Sequence, residues 1–482
     1  MMVSTAFTRT ALVCAALMVF ISCLPGARAD AALRRDKTNA FLLSNQGELF
    51  FPQGANVGYL LKQSVSARTL DSTLGMLAEA GVNTVRVNLQ DALEAGAPLS
   101  GLLDRIGSFS DEVMQRFEAL LTAAQKYQLQ VVPILFDLQS MQQDWGASPF
   151  NAANGGPCKT LRDFFTNPTV RQQSLNRAAK LIERFQGRNI LAWELARGAN
   201  IWDNAVPRDA GLRSEVLLWF NLVLDRVHQV NRERHLTALS FWPNTLPYEL
   251  MEQVDVLFIH FRSRAPELAA GGIQDFLNEC RKSRRPVFVS EAVWNAKPAQ
   301  RDLFLHTVFW SSLALNSSVF LSPVEREGAV DFSGFDLRLA KARQNFMPSF
   351  DFTGPARPPS RAPAEVMPKG QYLSIDNIVG NDRLFWLFAR KPGKTNAQLV
   401  LNTIEGVYEL QWFDLETLAP LERNRFTQWR KELQIETPAF EQSLLGVLHL
   451  VAKGPAKDKN GPPTPKPSGA SDPLLGPRKT TN

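Results

Sequence analysis

Residues 70–89 read Leu-Asp-Ser-Thr-Leu-Gly-Met-Leu-Ala-Glu-Ala-Gly-Val-Asn-Thr-Val-Arg-Val-Asn-Leu. Leu74, Leu77 and Ala78 recur at helical spacing, Gly81 supplies the residue that ends the helix, and Thr84–Leu89 follows as an apolar run of strand length. This helix-then-strand unit continues in both directions. Apolar runs occur at Phe51–Ala55, Thr84–Leu89, Val131–Phe136, Ile190–Leu195, Thr237–Phe241, Val256–His260, Val287–Ser290 and Ser318–Leu321, separated by stretches of helical period such as Val170–Phe185. Eight short strands alternating with helices specify an α/β fold class and a closed (β/α)8 barrel rather than an open sheet.

The barrel is expected over residues 40–345. Within it, Gln139–Asn167 carries Gly155-Gly156-Pro157 and reads as an irregular loop over the barrel mouth. A proline-rich linker follows at 346–370, then a segment at 371–452 with period-2 alternation. There Tyr408, Leu410 and Trp412 share one side against Glu409 and Gln411, and Leu384–Ala389 is apolar on both faces. Several strands in so short a stretch specify a small C-terminal β-sandwich, with Tyr408 and Trp412 in its core because they share a face with Leu410. Residues 453–482 lose hydrophobic periodicity and read as a disordered, basic, proline-rich tail.

The chain has 482 residues, enough for one large and one small domain, and 45% hydrophobic with 21% charged residues is a globular composition. Its start places Arg9 before the apolar run Ala11–Ile21 and then Ala27-Arg28-Ala29, the order of a signal peptide spanning 1–29 and cleaved near Ala29. Export to the periplasm or the medium follows, and the apolar run is too short for a transmembrane segment, which needs about 20 residues. Cys23 offers lipidation as an alternative. The net charge of +6 is confined to the ends: the leader holds Arg9 and Arg28, and the tail holds six cations against Asp458 and Asp472. The folded part is therefore balanced, which removes nucleic acid from the partner classes. In the mature chain only Cys158 and Cys280 remain, as a disulfide or as buried free thiols. No cofactor or metal is implied.

In such a barrel the chemistry sits at the C-terminal ends of the strands. Arg86, Asp137, Trp193, Glu194, His260 and Glu291 fall there, each of them equally readable alone as a satisfied wall residue. Glu291 ends Pro286-Val287-Phe288-Val289-Ser290 and faces the mouth, with Trp294 beyond it as a flat surface for a sugar ring or as a packed loop aromatic. Trp193, Trp242 and Asp137 complete the candidate sugar-binding set.

Over residues 41–325 these fragments resemble the clan of retaining (β/α)8 glycoside hydrolases that includes family 5 cellulases and β-mannanases. Gly54-Ala55-Asn56 is similar to the first strand, Gly81-Val82-Asn83-Thr84-Val85-Arg86 to the second, Asn189-Ile190-Leu191-Ala192-Trp193-Glu194-Leu195 to the fourth, His260 to the sixth-strand histidine and Ser290-Glu291 to the nucleophile strand. The resemblance implies Glu291 as nucleophile supported by Arg86 and His260, and a polysaccharide or oligosaccharide ligand. Gly406-Val407-Tyr408, Trp412-Phe413-Asp414 and Thr417 resemble the sandwich modules that follow such barrels.

The fourth strand departs from the family, which continues with Asn-Glu-Pro. Here Arg197 stands in the asparagine slot and Gly198 in the acid/base slot. Glu194 lies four residues deeper, which at about 3.3 Å per residue is some 13 Å below the required place. Arg262 takes the sixth-strand tyrosine slot, and Phe320-Leu321-Ser322-Pro323 lacks the platform tryptophan. Asp203 or Glu325 would have to supply a replacement acid, because glycosidic cleavage needs two carboxyl groups across one ring. Two expectations stand side by side. One is a catalytically degenerate barrel binding a glycan, or an envelope protein, in the old cleft; the other is a retaining hydrolase with a non-homologous acid.

Overall fold

The computed structural model describes residues 33–454 apart from 37–40, 45–46, 93–102, 106–107, 201–209, 244–246, 327–328, 351, 353–364, 380–381, 392, 416–419 and 431. The leader 1–29, Asp203, Thr417, the Glu325 side chain, most of the proline-rich stretch and nearly all of the tail lie outside the described residues.

Seven parallel strands pair in chain order: Gly54–Asn56, Thr84–Asn88, Gln130–Ile134, Ala192–Glu194, Leu236–Phe241, Val256–Ser263 and Val287–Trp294. The stretch 318–321 closes the ring as the eighth, bridging Val319 to Val289 and Leu321 to Ala55. Leu321 N donates to Gly54 O at 2.8 Å, and Phe320 N to Val289 O at 2.8 Å. The chain thus forms a TIM barrel followed by a β-sandwich, with all eight apolar runs as its staves. The helix expected before the second strand spans Ala67–Glu79, is capped by Ser66 and ends at Gly81 with φ +87°.

Strand alternation decides which side chains can meet. On Thr84–Asn88, Val85 and Val87 pack outward against the helices, so Thr84, Arg86 and Asn88 point inward. The lower interior is filled by Val132, Leu191, Ala192, Leu236, Phe258, Phe288 and Phe320, with Leu42 from an N-terminal three-stranded sheet sealing it. The barrel is therefore solid below and polar only near its upper rim.

The stretch expected as one irregular loop is more ordered than its glycines indicate. It contains the helices Leu138–Gln143 and Leu161–Thr166 and two 3₁₀ turns, with Phe164 packed tilted and Phe165 edge-on against Trp219 at 5.7 and 5.6 Å. Local composition misses this because the anchoring aromatic comes from the distant helix Ala210–Val230.

Beyond the helix Gly334–Phe346 a three-stranded and a five-stranded antiparallel sheet face each other. Glu365–Met367, inside the stretch read as linker, is a strand of the smaller sheet. The doubly apolar run is explained by Asp382–Ala389: Phe385 and Leu387 enter the sandwich core, whereas Leu384, Trp386 and Phe388 pack on the barrel. Phe413 meets Phe346 at 5.1 Å and Asn377 donates to Asn316 at 2.8 Å. The helix Arg301–Ala314, beneath this contact, is buried around almost its whole circumference. No helix among the described residues is long and apolar enough to cross a membrane.

Candidate functional site

At the upper rim the inward residues of six strands converge on one network. Arg86 forks onto Glu194, Nε to Oε2 at 2.6 Å and Nη2 to Oε1 at 2.7 Å, and its Nη1 reaches Glu291 Oε1 and Asn56 Oδ1 at 3.1 Å each. Ser240 Oγ also donates to Glu194 Oε1 at 2.7 Å. Glu194 is fully buried, so it holds Arg86 and offers nothing to a ligand.

Arg197 forms the second clamp. Its Nε donates to Glu291 Oε1 at 2.7 Å and its Nη2 to Oε2 at 3.0 Å, a bidentate pair, while Nη1 donates to Asp137 Oδ2 at 3.0 Å. Asp137 is fixed as the cap of Leu138–Gln143 through Ser140 N at 2.9 Å, and it also accepts from Asn88 at 2.7 Å. His260 Nδ1 lies 3.3 Å from Glu291 Oε2. Burial alone would raise the Glu291 carboxyl, but His260 and Arg197 hold it well below the usual carboxylate range. Burial pushes the His260 imidazole down, against the upward pull of Glu291.

Both Glu291 oxygens accept hydrogen bonds from guanidinium groups. Gly198 sits in the acid/base slot with φ +77°, and a Cβ built there would lie 2.9 Å from the Gln139 Cβ. The backbone at this slot is shaped for glycine.

The sequence candidates divide. Arg86, His260, Asp137 and Glu291 meet, as the strand-end rule requires. Trp193 does not: it is fully buried between strands and helices, on the opposite side of its strand from Glu194. It is corrected from a sugar contact to a core residue, since neighbours on a strand face opposite ways. Trp242 is also unavailable as a platform: the Arg262 guanidinium lies over its ring at 4.0 Å and its Nε1 donates to Gln139 at 3.0 Å. Cys158 and Cys280 are buried free thiols, which resolves the sequence alternative against a disulfide.

A cavity of about 560 Å³ opens beside the network, lined by Tyr59, Asn88, Asp91, Arg197, Glu291 and Trp294 among others. Its volume is that of a small-ligand site. Asp91 was not singled out in the sequence, although it lies just past the second strand, where the strand-end rule applies. Asn88 Nδ2 donates to Asp91 Oδ1 at 2.9 Å, and Gly58 is in close contact with its other oxygen. Asp91 is exposed at the wall of this cavity. Desolvation, then Asp137 and Glu291 outweighing Arg197 and Arg86, pushes it up to about 7.

No protein-family model matches the chain, and no curated protein does. Solved structures do. A glycoside hydrolase superposes with a TM-score of 0.62 at 10% identity, covering 87% of this chain and 97% of its own. A glycoside hydrolase family 5 protein from Bacteroides vulgatus superposes with a TM-score of 0.59 at 13% identity, covering 87% of this chain and 94% of its own. That coverage exceeds the barrel and takes in the sandwich. At such identities the likeness concerns the path of the backbone and leaves the chemistry to the site itself. The chain shares the backbone fold of these glycoside hydrolases.

Proposed function

We propose that this is an exported, glycoside-hydrolase-like protein that binds an oligosaccharide or polysaccharide in the barrel cavity without cleaving it. The observation that carries the reading is the bidentate grip of Arg197 on Glu291, in a site whose acid/base slot is Gly198. Loss of the acid removes leaving-group protonation, and the clamp engages a lone pair on each oxygen of the nucleophile. A cavity with Trp294 and Tyr59 in its walls and several polar side chains favours a sugar over a protein partner. Export rests on the leader, with Asp30 as the first mature residue; amino-terminal sequencing of protein recovered from its native envelope tests that.

The opposing reading is a retaining hydrolase in which Glu291 attacks the anomeric carbon. Asp91 favours it, as a carboxyl in the same cavity that is half protonated near neutral pH. The separating experiment screens β-glucans and β-mannans for binding and for reducing-end release by wild-type protein and Glu291→Ala. Binding by both proteins with no release from either supports the binding role. Sugar release by wild type that vanishes in Glu291→Ala overturns it.

A further inference from the structure

The cavity's charges are unevenly committed. Three cations among the described residues line it, and each is already paired: Arg86 with Glu194 and Glu291, Arg197 with Glu291 and Asp137, and Arg301 with Asp302 and Asp336. Asp91 is the exception on the acidic side. Its neighbours are the Asn88 amide, Gly58 and, farther off, Asp137, Glu291, Arg197 and Arg86, and no described cation forms an ion pair with it. An acidic sugar would meet no uncommitted guanidinium there and would face two carboxyl groups. An ammonium group would gain Asp91 as partner, with the aromatic walls Tyr59 and Trp294 as further sources of attraction for a cation.

Resting on the glycan-binding reading above, we propose that the cavity selects a glycan carrying a free amine, and that Asp91 is the specificity-determining residue that recognises it. Loading such a ligand replaces the missing cation, forms a charge-assisted hydrogen bond at Asp91 and leaves the Arg86 and Arg197 clamps intact. A neutral glycan keeps the aromatic contacts and loses only the ion pair. An acidic glycan loses both the pair and the favourable field.

Calorimetric titration of the full mature chain at pH 7 tests this with four trisaccharides: glucosamine trimer, its N-acetylated counterpart, cellotriose and trigalacturonate. The expected order places the glucosamine trimer roughly tenfold tighter than either neutral ligand, with trigalacturonate weakest. Asp91→Asn, which keeps the size of the side chain and an oxygen for Asn88, is expected to bring the glucosamine trimer down to the neutral level while leaving cellotriose within about twofold. The wild-type order is a test in itself should the variant fold poorly. Equal binding of amine and neutral trimers, tightest binding of trigalacturonate, or an amine preference that survives Asp91→Asn each overturns the inference while leaving glycan binding in place. If none of the four binds, the glycan-binding reading falls and this inference with it.

Discussion

Replacing Arg197 by methionine keeps much of the side chain's length and removes the group on which the upper rim is built. In the native chain that guanidinium donates to Glu291 at 2.7 and 3.0 Å and to Asp137 at 3.0 Å, with its own side chain 18% exposed. The variant leaves two carboxylates facing each other across an apolar stem. Removing one partner of a buried ion pair costs about 3–5 kcal/mol, and the partial exposure here places the expected loss near ~3 kcal/mol. For a domain of this size that is a drop of roughly 3–5 °C in melting temperature. The sign of the pH dependence follows from Glu291, whose carboxyl is held well below its ordinary value in the folded chain. A depressed carboxyl contributes stability above its unfolded pKa and loses it as pH falls through the folded value. The gap between wild type and Arg197→Met should therefore be largest at pH 7 and shrink below roughly pH 4. Calorimetric melts of both proteins across that range measure it. A gap under about 1 kcal/mol at pH 7, or one that does not narrow in acid, would refute the claim that Arg197 is the counter-ion of the site.

Gly198→Ala should cost about 2 kcal/mol, because it adds a positive-φ penalty to a 2.9 Å contact with Gln139; Gly198→Glu should restore no hydrolysis, and measurable sugar release from it would show that Glu291 remains a competent nucleophile despite the Arg197 clamp. Trp294→Ala is expected to weaken glycan binding and also to lower the melting temperature modestly, because the ring packs on Phe304 at 5.1 Å and its Nε1 donates to Lys297 O at 2.7 Å. Trp193→Ala should instead lower stability by about 3–5 kcal/mol in urea melts, since it opens a void in the layer between strands and helices. Burial pushes the Cys158 thiol up to about 11 and the Cys280 thiol up to about 12, so both should resist thiol reagents until the protein unfolds, and reducing agents should leave the melting temperature unchanged.

Strand positions were legible because hydrophobic period is a local property of the chain. All eight apolar runs became staves of the barrel, and the double-faced run at Leu384–Ala389 proved to lie between two hydrophobic bodies. The convergence of Arg86, His260 and Glu291 was also readable, since parallel strands in a barrel bring their C-terminal ends to one rim. Trp193 was misread because the polar neighbour at Glu194 marked the right strand end, and adjacent residues there face opposite sides.

The sequence by itself determined the alternation of strands and helices, the small second domain and the replacement of the expected acid by Gly198. Each of these is written within a few consecutive residues. Tertiary structure decided what Arg197 does, that Asp91 lies on the cavity wall and that Cys158 and Cys280 stay apart. Arg197 and Glu291 are separated by 94 positions, and they meet only through the register between strands and the closure of the ring. Coulomb energy and desolvation depend on distances across that ring, which no periodicity along the chain encodes.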